Sequence, residues 1–186
     1  MGCRWQRAPK RRPSPPAEAR QAQRHGHERH GLRLRGSALN LYLDTSALVK
    51  LLVDEPGTEE AQGAYSEADG IRTTAIAHVE ATAALSRMRK GARLTPTQLG
   101  RAIDDLESLW RGIDSHTVND ALLARAAETV RAHALRAYDA VHLAGALSFA
   151  AGEELEFACW DKELRSAAKK HGFTLVPQRL RSAASR

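Results

Sequence analysis

The stretch LYLDTSALVK, residues 41–50, ends an apolar, strand-like run on a single acidic residue, Asp44. Two hydroxyl residues follow, Thr45 and Ser46, and a helical pattern of apolar residues then begins. An aspartate in this position is a good helix N-cap, because its carboxylate accepts hydrogen bonds from the first free backbone N–H groups. Whether Asp44 has a further role depends on what the rest of the chain places beside it.

Strand-like and helical patterns alternate along the chain after residue 40. The strand-like segments are residues 41–44, 71–75, 113–118, 155–159 and 173–176. One helix start is well marked, because Thr95, Pro96 and Gln98 form the pattern of an N-cap with a capping box. Strands separated by helices predict an α/β fold with a mostly parallel sheet of about five strands and helices on both faces.

The basic charge is concentrated at the N-terminal end. The formal net charge is +6, but residues 1–38 contain 10 Lys or Arg and 2 Asp or Glu, whereas the remaining residues contain 18 and 20. Residues 1–38 have no apolar period and are predicted to be a disordered basic tail. Two explanations of this tail stay open: an upstream start that is not normally translated, which we favour slightly, and a nucleic-acid-binding arm. The predicted folded domain is residues 39–178, followed by a short basic C-terminal tail, residues 179–186.

Cysteine usage and hydropathy favour a cytoplasmic location. Two cysteines, Cys3 and Cys159, are too few for a disulfide framework. The most apolar segment, residues 140–151, is too short to cross the roughly 30 Å hydrocarbon core of a bilayer. The N-terminus also lacks the apolar stretch of a secretion signal. We therefore expect no membrane association.

Four acidic residues occupy similar places relative to the predicted elements. Asp44 ends the first strand, Asp161 follows the fourth, and Glu80 and Asp139 lie near the starts of two helices. The carboxyl ends of parallel strands share one edge of the sheet, where ligands bind. Four carboxylates gathered there would repel one another, and Mg²⁺ or Mn²⁺ would remove that conflict. Such a site promotes hydrolysis of a phosphate ester. The simpler alternative is that the three aspartates only cap helices.

Four segments in this order resemble PIN domains, and most of all the VapC-type toxins of bacterial toxin–antitoxin pairs: LYLDTSALVKLL, TTAIAHVEATAAL, LRAYDAVHLAGAL and FACWDKEL. The likeness covers residues 41–177. It implies a three-layer α/β/α fold and a metal-dependent endoribonuclease that cuts structured RNA such as tRNA or rRNA. It also implies a VapB-type antitoxin partner and a homodimer.

The resemblance assigns the residues of the site. The implied catalytic residues are Asp44, Glu80, Asp139 and Asp161. Asp44, Asp139 and Asp161 are the expected contacts to Mg²⁺ or Mn²⁺, and Glu80 is expected to help hold water on the metal. Thr45 and Ser46 are expected to support Asp44 or a water molecule.

Several neighbours of these acids carry open questions. Cys159 stands where the family often has threonine or serine, and a thiol is a poorer hydrogen-bond donor. We interpret Tyr138 and Trp160 as core residues rather than RNA-stacking residues, and His142 as a half-buried histidine outside the site. Candidate contacts to the RNA backbone, which are equally well explained as solvated helix faces, are residues 87–93, Arg125, Arg131 and Arg136.

The main alternative function is a PIN-like RNA-binding protein without cleavage activity. Such a protein need not keep its acids, whereas here all four are present. A phosphatase of the haloacid dehalogenase type also begins with an aspartate after the first strand. It needs a second aspartate two residues later, where this chain has Ser46. We therefore favour the ribonuclease.

Overall fold

The computed structural model describes residues 38–152 and 154–180, so residues 1–37 of the predicted basic tail and residues 181–186 lie outside the described part. Five strands are formed: β1 (Asn40–Leu43), β2 (Gly70–Thr74), β3 (Asp114–His116), β4 (Leu155–Ala158) and β5 (Thr174–Val176). The helices are α1 (Thr45–Lys50), α2 (Thr58–Glu67), α3 (Ile76–Lys90), α4 (Pro96–Trp110), α5 (Asp120–His133), α6 (Ala137–Ala150) and α7 (Lys162–Lys170). The capping box of Thr95 and Gln98 is present at the start of α4, as the sequence predicts.

The five strands form one sheet in the order β3-β2-β1-β4-β5, and each neighbouring pair is parallel. From β1 the chain runs outward through β2 to β3, and it then returns across the sheet to β4 on the other side of β1. The strand order therefore reverses between β1 and β4. Ligands of open α/β sheets bind at this kind of reversal, beyond the carboxyl ends of the strands.

Helices cover both faces of the sheet in two separate apolar clusters. Tyr42 and Phe157 point to the face that is packed by α5, α6 and α7. Leu41 and Leu43 point to the opposite face, packed by α1, α2, α3 and α4. This alternation along β1 is the two-residue period of a strand, and because β1 is covered on both sides it is apolar almost throughout. The predicted three-layer α/β/α fold with about five parallel strands is confirmed.

Helix α6 lies unusually close to the sheet. Gly145 makes this approach possible, because a Cβ atom at this position would collide with the side chain of Thr74 and lie 3.1 Å from the Tyr42 hydroxyl. The close packing holds α6, which carries Asp139 and His142, against β2 and β4.

Helix α3 turns small residues toward the core. Ala77 and Ala81 are buried, while the larger Val79 is 67% exposed. Among the described residues, no helix is both long and apolar enough to cross a membrane.

Candidate active site at the carboxyl edge of the sheet

Asp44 is buried directly beyond β1, where it is the N-cap of α1. Its Oδ1 accepts a hydrogen bond from the Ala47 backbone N–H at 2.8 Å. The Ser46 hydroxyl donates to both carboxylate oxygens, at 2.8 and 3.0 Å. Burial raises the pKa of Asp44, and interactions with His142, Ala47 and Ser46 offset part of that rise. The Asp44 carboxylate thus caps α1, and its burial disfavours the ionised form.

Ser46 also connects the loops that follow β1 and β4. Its Oγ accepts a hydrogen bond from the Trp160 backbone N–H at 2.8 Å, while its hydroxyl donates one to Asp44. The Asp44 backbone N–H in turn donates to the carbonyl of Ala158 at 3.1 Å. These bonds fix the position of Asp44 relative to the loop that leads to Asp161. The expected support of Asp44 by Ser46 is therefore present.

The thiol of Cys159 lies against the same carboxylate. The thiol donates to the Asp161 backbone carbonyl at 3.6 Å, and its Sγ accepts from the Asp161 backbone N–H at 3.3 Å. Burial, together with the charge of Asp44, raises the pKa of the thiol well above its ordinary range, so Cys159 stays protonated. A threonine or serine hydroxyl at this position would be a stronger donor than the thiol.

Glu80 lies in the second turn of α3, and two side chains hold its Oε2. The Thr45 hydroxyl donates to this oxygen at 2.6 Å, and the His142 Nε2 lies 2.9 Å from it. Burial pushes the pKa of Glu80 up, but the hydrogen bonds of His142 and Thr45 outweigh it and hold the pKa below its ordinary value. The Thr45 hydroxyl is therefore bonded to Glu80, a partner that the sequence did not suggest beside Asp44 or a water molecule.

His142 is fully enclosed beneath Glu80, and its hydrogen bonds define which nitrogen carries the proton. Thr45 gives its single hydroxyl proton to Glu80, so the Nε2 of His142, 3.1 Å from Thr45 Oγ1, must be the donor in that contact. The Nδ1 faces the hydroxyls of Tyr42 at 3.1 Å and Thr74 at 3.3 Å. Both hydroxyls can donate to Nδ1, so these contacts assign a ring proton to Nε2 and an acceptor role to Nδ1.

The position of His142 corrects the interpretation from sequence. We expected a half-buried histidine outside the site, but only 2% of its surface is exposed and it contacts two site residues directly. The available signal was its position three residues after Asp139, on the same side of α6.

Asp139 and Asp161 form a second, more exposed part of the site. The Arg136 side chain bridges them: its Nε donates to Asp139 Oδ2 at 2.8 Å and a terminal nitrogen donates to Asp161 Oδ2 at 2.7 Å. Asp161 is the N-cap of α7, and its Oδ1 accepts from the backbone N–H groups of Glu163 and Leu164. Burial raises the pKa of Asp139, although the bond from Arg136 opposes that rise. Asp139 makes no such cap, because Arg136 occupies the N-cap position of α6.

The four acids lie in one region, with His142 between them. His142 is bonded to Glu80 and interacts electrostatically with both Asp44 and Asp139. Within residues 38–152 and 154–180, however, no group of three or more His, Cys, Asp or Glu side chains is arranged to hold a metal ion as it stands. The ligand chemistry still fits Mg²⁺ or Mn²⁺, because the donors are carboxylates and burial opposes the charge on two of them.

The two aromatic side chains next to the acids have different environments. Trp160 is partly buried against the apolar cluster of α1–α4, with the Lys50 ammonium 5.1 Å from its ring, so its predicted packing role is confirmed. Tyr138 is 58% exposed, and the prediction that it belongs to the core is wrong. Its ring is available at the outer side of the site, close to Asp139 in sequence.

The fold and this edge of the sheet define a class of proteins. A match to the PIN domain family spans residues 41–153, more than half of the chain. A crystal structure of PAE2754 from Pyrobaculum aerophilum has a similar fold, with a TM-score of 0.50 and 22% sequence identity over 78% of this chain and 90% of that chain. The protein belongs to the PIN domain family.

Within this family the chain is most readily compared with VapC proteins. Ribonucleases VapC45 and VapC49 of Mycobacterium tuberculosis are each 36% identical to it over 141 residues, which is 75% of this chain and 96% of theirs. A VapC ribonuclease of Rhizobium meliloti is 30% identical over 73% of this chain and 90% of its own length. These relatives identify the chain as a VapC-type member, as the four sequence segments predict.

Proposed function

We propose that the protein is the toxin of a toxin–antitoxin pair and a divalent-metal-dependent endoribonuclease that hydrolyses phosphodiester bonds of RNA. The observation that supports this proposal most directly is the position of the four carboxylates at the carboxyl edge of the sheet, beside the reversal of strand order. The relatives described above are named VapC ribonucleases, which agrees with the proposed activity.

In this proposal Asp44, Asp139 and Asp161 hold Mg²⁺ or Mn²⁺. The bound ion would activate water as a nucleophile and stabilise negative charge on the phosphate. Asp44 contributes a charge whose position is fixed by Ser46 and the α1 backbone. Because Asp161 already uses Oδ1 to cap α7, Oδ2 is the oxygen it can offer.

Glu80 has a separate task in the proposal. The hydrogen bonds of Thr45 and His142 fix its Oε2 and keep the carboxyl group ionised at neutral pH. Its Oε1 takes part in neither bond, so this oxygen would accept a hydrogen bond from the attacking water and orient it. His142 would act through Glu80, as a positioning residue.

The proposed partners follow from the family. The substrate would be a structured cellular RNA such as tRNA or rRNA, and a small VapB-type antitoxin would block the site. A homodimer is the proposed assembly. Expression of the chain alone should therefore arrest growth, and co-expression of the antitoxin encoded beside it should restore growth. Harmless expression of a soluble, folded product would contradict the toxin assignment.

The test of the reaction is cleavage of total cellular RNA by purified protein, followed by sequencing of the new ends. Cleavage should require Mn²⁺ or Mg²⁺ and stop with excess EDTA, because the carboxylates then lack the cation that the reaction needs. An Asp161→Asn variant purified in parallel controls for contaminating ribonuclease. Equal cleavage in EDTA would refute the metal mechanism, and binding of RNA without any cleavage would support the RNA-binding alternative.

A further inference from the structure

Arg136 makes the strongest charged contacts at the outer side of the site, yet little else holds it. Its two hydrogen bonds to Asp139 and Asp161 join ionised groups at 2.8 and 2.7 Å. The side chain is 69% exposed, so apolar packing does not fix its position. Exposed ion pairs of this kind contribute little to stability and form or break at low cost.

The guanidinium uses the one oxygen of Asp161 that the helix cap leaves free. Both backbone bonds at the start of α7 go to Oδ1, and Arg136 takes Oδ2. A divalent cation bound by Asp139 and Asp161 would meet the same pair of carboxylates. A charge of +2 and a charge of +1 placed on the same two carboxylates repel each other. A cation and the bridging Arg136 therefore oppose each other at this place.

A second arginine in the same region, Arg165, has a guanidinium group that is fixed by its contacts. Arg165 is buried, and its nitrogens donate to the backbone carbonyls of Cys159, Val176, Pro177 and Gln178. It has no carboxylate partner among these contacts, and it cannot leave without exposing four acceptors. Arg136 has two partners, both negative, and solvent on its other sides.

An open cavity adjoins the bridge on the solvent side. Its volume is about 410 Å³, and it is lined by Arg136, Trp160, Asp161, Lys162 and Glu163. Its two cationic side chains are balanced by two acidic ones in the metal-free protein. A cation on Asp161 would offset one of the negative charges and free Arg136, which can then bind a phosphate through two parallel hydrogen bonds.

We propose that Arg136 is an exchangeable counter-ion. It bridges Asp139 and Asp161 in the metal-free protein, leaves them when a divalent cation binds, and then holds a phosphate of the RNA in the adjoining cavity. The inference rests on the proposed metal-dependent ribonuclease function. It adds to that function a residue that touches both the metal ligands and the substrate, in two successive states.

The first test measures Mn²⁺ binding by calorimetry, without RNA. Arg136→Gln should bind Mn²⁺ about tenfold more tightly than the wild type, because the competing charge is gone. Arg136→Lys keeps the positive charge but loses the paired N–H groups of the guanidinium, and its Mn²⁺ affinity should stay near that of the wild type. Arg101→Gln is the matched control, since Arg101 is an exposed arginine of α4, a helix that carries no acid of the site. Unchanged or weaker Mn²⁺ binding by Arg136→Gln would overturn the proposal.

The second test measures RNA binding with Ca²⁺ in place of Mn²⁺ and a gel to verify that the RNA stays intact. Loss of one phosphate contact should reduce the slope of log affinity against log salt by about 0.7 for single-stranded RNA. We expect this reduction for Arg136→Gln but not for Arg101→Gln. An unchanged slope would overturn the phosphate contact. If the wild type binds no Mn²⁺ at all, the proposed metal site fails, whereas wild-type binding without the predicted gain in Arg136→Gln refutes only the exchange.

Discussion

The candidate site has two halves that are built from different interactions. The inner half consists of Asp44, Glu80, Thr45 and His142, and its contacts are buried hydrogen bonds between side chains and to the backbone. The outer half consists of Asp139, Asp161 and Arg136, and its contacts are ion pairs open to solvent. Both halves contain two carboxylates, but among the described residues an arginine is hydrogen-bonded to the carboxylates of the outer half and not to those of the inner half.

The difference concerns which contacts water can replace. A buried hydrogen-bonding group that loses its partner costs roughly 1–3 kcal/mol, so the inner half is held in one arrangement. An exposed ion pair contributes roughly 0–1 kcal/mol, so the outer half can change partners. The inner half is suited to fixing the reacting groups, and the outer half to admitting a cation and a substrate.

The largest effect is expected from Asp44→Asn in the inner half. Cleavage should fall by at least about 100-fold, because even residues that only support metal ligands change activity by 10- to 100-fold. Metal-free stability should not fall, since asparagine caps a helix about as well as aspartate. The measurements are an RNA cleavage assay and chemical denaturation of the metal-free protein.

The pH dependence sharpens the same prediction. The pKa of Asp44 is raised in the folded protein, so its contribution to stability is complete at low pH and is lost as the pH rises. Asp44→Asn removes this loss of stability. The variant should therefore be more stable than the wild type only at pH values above the ordinary aspartate pKa. Asp104→Asn, at an exposed position of α4, is the control for loss of one charge. An Asp44→Asn protein with full Mn²⁺-dependent cleavage would reduce the residue to a helix cap.

The next effect concerns His142, the centre of the inner half. His142→Leu removes one of the two partners of Glu80 and the ring nitrogen that faces Tyr42 and Thr74, and should destabilise the protein by about 3 kcal/mol. Cleavage should fall roughly 10- to 100-fold, because Glu80 is then held by Thr45 alone. His142→Gln, whose amide can donate to Glu80, should recover part of the activity. Equal losses in both variants would indicate a packing role alone.

A pH series separates the two roles of His142. The folded pKa of Glu80 lies below its ordinary value of 4.5, so the group stabilises the protein above that pH, and this stability is lost as the pH falls through the folded pKa. The variant lacks the bond from His142 that lowers the pKa. The difference in unfolding free energy between wild type and His142→Leu should therefore narrow as the pH drops below 4.5.

Much of the fold follows from patterns that are local in the sequence. The strand and helix periods, the capping box at Thr95 and the glycine and proline breaks predicted all five strands and the three layers. The four acids were also recognisable, because each stands at the end of a strand or near the start of a helix. These features depend on residues close together in the chain.

The contacts within the site could not be predicted in the same way. The bond of Thr45 to Glu80 joins residues 35 apart, and the bond of His142 to Glu80 joins residues 62 apart. Neither pairing leaves a period in the sequence. The enclosure of His142 depends on Gly145, which brings α6 close to the sheet. The Arg136 bridge was missed because a surface arginine next to an acid has no distinctive pattern.

The smallest effect is expected at Cys159, where the inner half meets the loop that leads to the outer half. Cys159→Thr replaces a weak donor beside Asp44 by a stronger one, and should stabilise the metal-free protein by up to about 1 kcal/mol at pH 8. Cys159→Ala removes the donor and should be the least stable of the three proteins. At low pH the protonated Asp44 needs no such donor, so the advantage of threonine should shrink. If the threonine variant were less stable than the alanine variant at pH 8, a donor at position 159 would not stabilise the Asp44 carboxylate.

The Ser46 hydroxyl has a consequence for spectroscopy. It accepts a hydrogen bond from the Trp160 backbone N–H and donates one to Asp44, so this amide lies two hydrogen bonds from the carboxylate. In a ¹H–¹⁵N spectrum, the chemical shift of the Trp160 amide would report the charge on Asp44. Its rate of hydrogen exchange would report whether the loops after β1 and β4 stay together. The backbone thus carries its own probe in the middle of the site, able to follow ionisation and cation binding in the intact protein.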